Sequence, residues 1–80
     1  MDGRIQLNTA TLKSKRRELG LSQELVAFEC AERHLQVSIA SIKRAETGKN
    51  VLYRTARELA KFYQIPVTGL QQTDTEQIPN

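Results

Sequence analysis

Among the side chains able to do chemistry, the basic ones carry the most informative spacing. Lys43 and Arg44 lie in the segment SIASIKRAET, from Ser38 to Thr47. At helical spacing they fall on one side with Ala40 and Thr47, and Ile42 and Ala45, with Ile39 or Ser38, fall on the other. A short helix with a basic outer face and small residues at its start can enter a groove about 12 Å wide. The same pattern also describes an amphipathic helix whose Lys43 and Arg44 are merely solvated.

Other chemistries find few residues to work with. Cys30 and His34 are the single members of their types, which rules out an internal disulfide and makes a poor metal set. Cys30 lies on an i, i+4 stripe and reads most simply as a core thiol, with a redox role as the alternative. His34 reads as an exposed turn residue, with a phosphate contact or a pH-sensitive group as the alternatives. There is no glycine-rich phosphate loop, no nucleophile arrangement beyond one cysteine and one histidine, and no identifiable pair of catalytic carboxylates. We therefore expect neither an enzyme nor a cofactor.

Charge points toward a polyanionic partner. The chain of 80 residues has a net charge of +3, and its 12 Lys and Arg all precede Gln71, whereas Asp74 and Glu76 lie in the terminal segment QQTDTEQIPN. A basic body attracts nucleic acid. The length admits one domain, and the hydrophobic share of 39% with few aromatics suits a small helical core. No apolar run approaches the ~20 residues of a membrane span, and no signal-peptide pattern opens the chain, so no membrane partner and a cytoplasmic, nucleoid-associated location are expected.

The elements that must position these side chains follow from caps and periods. Residues 1–7 read as an N-terminal arm in which Ile5 and Leu7 alternate with polar neighbours and could lie against the body. Asn8 or Thr9 can cap a first helix that runs to Gly20, with Leu12 and Leu19 on one face and Arg16 between them. Arg16 either snorkels from that face or pairs with a carboxylate from elsewhere. Ser22 caps a second helix whose stripe is Val26, Ala27, Cys30 and Ala31, with Leu25 and Phe28 on a different side. This helix can run through Arg33. Ser38 to Gly48 is the third helix. Leu52 to Gln64 is the fourth, with Leu52, Ala56, Leu59 and Tyr63 inward, and Pro66 ends it. A fifth turn from Val67 to Gln71 returns Leu70 to the core, and residues 71–80 read as a flexible tail or linker.

Three segments, LKSKRRELGLSQ, SIKRAETGK and LAKFYQIPVTGL, together resemble the lambda-repressor and Cro type of helix-turn-helix domain found in phage repressors and many bacterial regulators. The resemblance covers about Leu12 to Leu70. It implies an all-α bundle of about five short helices over residues 8–70, with helices 2 and 3 forming the helix-turn-helix. The turn between them is longer than usual, the surplus falling around Cys30 to His34.

The resemblance further implies sequence-specific binding of double-stranded DNA in transcription regulation. It places Ile39, Ala40 and Arg44 at base edges and Ser22, Gln23, Ser41, Lys43, Lys49 and Asn50 at the phosphate backbone. Arg16 and Glu46 would form a structural ion pair. The phosphate contacts would set register, and an arginine such as Arg44 can bond O6 and N7 of guanine together. A homodimer on a two-fold site, or a further C-terminal domain of a longer chain, would complete the regulator. The competing expectation is a protein-interaction module of the same fold, docking a partner domain through Leu25 and Phe28.

Overall fold

The computed structural model describes residues 3–71. It contains four α-helices, one 3-10 turn and a two-stranded antiparallel pair. Strand β1 is Arg4–Ile5, helix α1 Thr9–Glu18, α2 Gln23–Glu32, α3 Ile39–Glu46, strand β2 Val51–Leu52, α4 Tyr53–Tyr63, and the 3-10 turn Val67–Gly69. No helix among the described residues is long and apolar enough to cross a membrane.

Three of the four α-helices begin on a side-chain cap. Asn8 Oδ1 accepts from the Thr11 N–H at 3.0 Å, and the hydroxyls of Ser22 and Ser38 accept from the N–H of Leu25 and Ser41 at 3.1 and 3.0 Å. Each such bond satisfies one of the donors that the first helical turn leaves without a partner. Helix α4 has no side-chain cap. Its first amide, from Tyr53, donates instead to the carbonyl of Gly3, so the N-terminal segment does the capping.

All four α-helices end in the same closure. A left-handed residue follows the C-cap at Gly20 (φ 69°), His34 (61°) and Gly48 (85°), and is itself the C-cap of α4 at Gln64 (59°). The next amide in each case reaches back five residues, from Leu21 to Arg16, Leu35 to Cys30, Lys49 to Arg44, and Ile65 to Ala60. These are the 6→1 bonds of a Schellman motif. Leu21, Leu35 and Ile65, one residue beyond the left-handed position, pack on the core and seal three of the four ends.

The core collects Leu7, Leu12 of α1, Val26 and Cys30 of α2, Val37, Ile42 and Ala45 of α3, Val51, the inner face of α4, and Leu70. Several residues differ from the expectation. Leu19 lies just past the end of α1 and is 53% exposed, so only Leu12 carries that face inward. Ala31 is exposed, because the buried side of α2 centres on Val26 and Cys30. Leu52 is exposed and belongs to β2, since α4 starts one residue later.

The all-α expectation also needs correction. Arg4 and Ile5 pair with Leu52 and Val51, and a further bridge joins Leu7 to Gln71. Pairing satisfies backbone groups that residues before α1 and α4 could not bond within a helix. Leu7 is 1% exposed, so from Gly3 onward the N-terminal stretch is packed into the body.

The long connection from Arg33 to Ser38 is anchored throughout. Val37 is buried and Leu35 partly so, the Gln36 N–H donates to Glu58 Oε1 at 3.2 Å, and the Arg33 guanidinium lies 4.9 Å from the centre of the Phe62 ring. The cation over an aromatic face adds attraction to the contact. The residues between α2 and α3 are thereby tied to α4, and the start of α3 is held from both sides.

Candidate nucleic-acid interface

Helix α3 presents an outer face of Ala40, Lys43, Arg44 and Thr47, all exposed. Its inner face buries Ile42, Ala45 and Glu46. Ile39 and Ser41 are intermediate, so Ile39 divides its side chain between core and surface. Only part of Ile39 is then free for apolar contact outside the domain.

Arg44 is partly restrained. One Nη2 hydrogen goes to the Asn50 carbonyl at 3.1 Å, across the corner that follows the helix. A guanidinium has five N–H donors, so four remain for another acceptor. The Lys49 amide closes the same corner on the Arg44 carbonyl, and Gln6 Nε2 donates to the Gly48 carbonyl at 2.6 Å. Lys49 and Asn50 stay exposed beside it. Thr47 turns its hydroxyl back to the carbonyls of Lys43 and Arg44 at 2.9 and 3.0 Å, which quiets the C-terminal end of the face.

Beneath that face lies a buried ion pair. Arg16 Nε and Nη2 donate to Glu46 Oε2 and Oε1 at 2.8 and 2.9 Å, and Arg16 Nη1 donates to the Leu21 carbonyl at 3.2 Å. Glu46 is 3% exposed. A carboxylate at a helix C-terminus faces the negative end of the dipole, and the guanidinium offsets that as well as the desolvation. The hydrogen bond to Glu46 raises the Arg16 pKa above its already high ordinary value, against the opposing effect of burial. Spacing alone left Arg16 open between snorkelling and pairing, the resemblance implied Glu46 as its partner, and the geometry here is bidentate.

Gln23 completes this network. Its Nε2 donates to Glu46 Oε1 at 3.0 Å, so the amide faces inward and braces α2 against α3. For a phosphate, the start of α2 offers its first backbone amides, with the Ser22 hydroxyl already turned to the Leu25 N–H. Phosphate contact by the Gln23 side chain would use only its second amide hydrogen. Ser41 is likewise engaged locally, accepting from the Ser38 hydroxyl at 3.0 Å.

Two basic residues escaped the sequence reading. An open cleft of about 540 Å³ runs between α1 and the ends of α2 and α3, lined by Lys13, Arg17, Ser22, Gln23, Glu24 and Thr47, with the Arg16–Glu46 pair in its wall. Lys13 and Arg17 are one helical turn apart on α1 and line the same cleft as Ser22. Their i, i+4 spacing is visible in the sequence, but the apolar period of that helix carries no information about its basic side.

The remaining reactive groups are quiet. Cys30 is fully buried and its pKa is pushed up to about 11, chiefly by desolvation, as expected of a core thiol. His34 is exposed and occupies the left-handed turn. Among the described residues, no group of three His, Cys, Asp or Glu could hold a metal ion. Leu25 and Phe28 are 47% and 58% exposed on the far side of α2. Comparison of the chain with protein-family models, with curated proteins and with solved structures finds no match in any of the three.

Proposed function

We propose that this chain is a sequence-specific DNA-binding domain of a transcriptional regulator, a helix-turn-helix of α2 and α3 with α3 entering the major groove. The observation that carries the reading is the two-sided character of α3. Its outer face combines a small residue, Ala40, with the exposed charges of Lys43 and Arg44, and its inner face is locked to α1 and α2 through Glu46. A helix narrow enough to approach base edges and rigidly held can convert a guanidinium into base discrimination.

In this reading Arg44 reads guanine, and Ala40 with the exposed part of Ile39 meets a thymine methyl. Lys43, Lys49, Asn50, Ser22, Ser41 and the first amides of α2 hold phosphates. Lys13 and Arg17 join that second group, because the cleft they line opens beside the Ser22 cap. A single module reads few bases, so the regulator would use two copies on a two-fold site or a further domain.

The test is selection from a random duplex library by the purified chain at low and near-physiological salt. A recurring motif that Arg44→Ala weakens by about 10- to 100-fold, with much smaller loss on random duplex, is the expected result. Retention of DNA without any motif would leave a non-specific basic module. The exposure of Leu25 and Phe28 favours a second reading, a protein-interaction module of this fold. Recovery of a partner that Leu25→Ser/Phe28→Ser abolishes, together with no DNA retention, would select it.

A further inference from the structure

Two surfaces outside the outer face of α3 carry opposite charge beside apolar side chains. On α2, Leu25, Phe28, Glu29 and Glu32 fall within about 100° of arc at helical spacing, opposite the buried Val26 and Cys30. The patch interleaves apolar and acidic side chains, with Glu32 between Phe28 and Leu25 on the arc and Glu29 at its edge. Among the described residues Glu32 has no ion-pair partner, and Glu29 is only loosely paired, 3.8 Å from Arg33.

The other surface is an open groove of about 440 Å³ where α4 meets the 3-10 turn. Its floor is Ala60, Ile65, Pro66 and Val67, and its rim carries Arg57 and Lys61. Arg54, one turn before Arg57, extends the basic edge along the exposed side of α4. Neither Arg54 nor Arg57 has an ion-pair partner among the described residues. Lys61 reaches Glu58 at 3.4 Å and is 65% exposed. Glu58 is turned inward onto the Gln36 amide, so it reduces the basic edge only partly.

We propose that the α2 patch of one molecule docks into the α4 groove of a second copy of this chain. Phe28 and Leu25 fill the apolar floor while Glu29 and Glu32 meet Arg57, Lys61 and Arg54. Each surface is poorly matched to itself, acid against acid or base against base, and well matched to the other in charge, which disfavours patch-on-patch and groove-on-groove pairing. The proposed contact is heterologous, one patch on one groove, so every copy keeps one free patch and one free groove, unlike a reciprocal two-fold dimer that uses both at once. Association is head-to-tail and open-ended, weak in an isolated pair and favoured by salt low enough to leave the charges unscreened. The docking needs no DNA and does not rest on the proposed DNA-binding function.

The experiment is sedimentation of the full chain over a concentration series without DNA. We expect a mass that keeps rising beyond a dimer, and an association constant reduced at least about tenfold by either Leu25→Ser/Phe28→Ser or Arg57→Glu/Lys61→Glu. All four positions are exposed, and an unchanged circular dichroism melt will show that the variants fold. The discriminating arm mixes the two variants. One retains the groove and the other the patch, so the mixture should form 1:1 pairs and stop there. A second arm combines Glu29→Arg/Glu32→Arg with Arg57→Glu/Lys61→Glu in one chain, which should restore self-association. A monomer at every concentration, a mass that stops at a closed dimer, self-association unaffected by both variants, or a mixture that fails to pair would each overturn the proposal.

Discussion

Arg16 and Glu46, thirty positions apart, meet through two parallel hydrogen bonds of 2.8 and 2.9 Å, with the carboxylate almost wholly out of solvent. The pair ties α1 to the last residue of α3, and Gln23 on the same carboxylate adds α2. Three helices thus converge on one buried charge. Orientation of α3 depends on it, because the backbone at Glu46 cannot move without breaking the fork.

Removing one partner strands the other. Glu46→Gln or Arg16→Met should destabilise the fold by about 3–5 kcal/mol. Thermal or urea denaturation followed by circular dichroism measures this. A Glu46→Gln protein melting within a degree or two of wild type would show that the pair contributes little.

Lys13 and Arg17 separate phosphate attraction from base reading. Lys13→Ala and Arg17→Ala should each weaken binding about equally on all duplexes. Each should also lower the slope of log K against log salt by about 0.9 if the residue neutralises one phosphate. Titrations of specific and random duplex at several salt concentrations decide it. A loss confined to one sequence would instead place these residues at base edges.

His34 carries a conformational cost at the end of α2. A non-glycine residue in the left-handed region costs on the order of 1–2 kcal/mol, and a β-branched one fits worst. His34→Gly should therefore match or exceed wild-type stability, whereas His34→Val should lose about 1–2 kcal/mol. Equal melting of the two variants would mean that the turn relaxes to another conformation.

Alkaline pH should destabilise the protein through two groups in the core. Burial pushes the Cys30 thiol from 9.0 to about 11 and the Tyr63 phenol from 10.0 to about 12, with the Glu46 charge reinforcing the second. Both hold their protons more tightly folded than unfolded. Their stabilising contribution is full below pH 9 and is lost progressively as pH rises through 11 and 12. Urea midpoints measured from pH 8 to 11.5 should fall, and Tyr63→Phe with Cys30→Ala should flatten the curve. An unchanged slope in the double variant would assign the alkaline loss to other groups.

Local chemistry was legible along the chain. Asn8, Ser22 and Ser38 announce helix starts because each cap is made to an amide only three residues away. Gly20 and Gly48 announce helix ends because glycine meets no steric penalty at positive φ, and Pro66 bars α4 from continuing. The pairing of Arg16 with Glu46 entered through resemblance to a known family. Periodicity alone favoured a snorkelling Arg16 over a paired one.

Tertiary structure decided what no short window contains. His34 and Gln64 take the left-handed position that glycine takes elsewhere, because Leu35 and Ile65 gain core contacts by following such a stop. Leu19 and Leu52 are apolar by type yet exposed, since the helices on which they were counted end before one and begin after the other. Gln23 turns inward to a carboxylate that arrives from α3, and Arg4–Ile5 becomes a strand only because Val51–Leu52 lies alongside. Caps and breakers act through bonds between residues three to five positions apart, so residue order determines them. Burial, strand pairing and the choice of a polar partner depend on groups brought together only after the chain has folded back on itself.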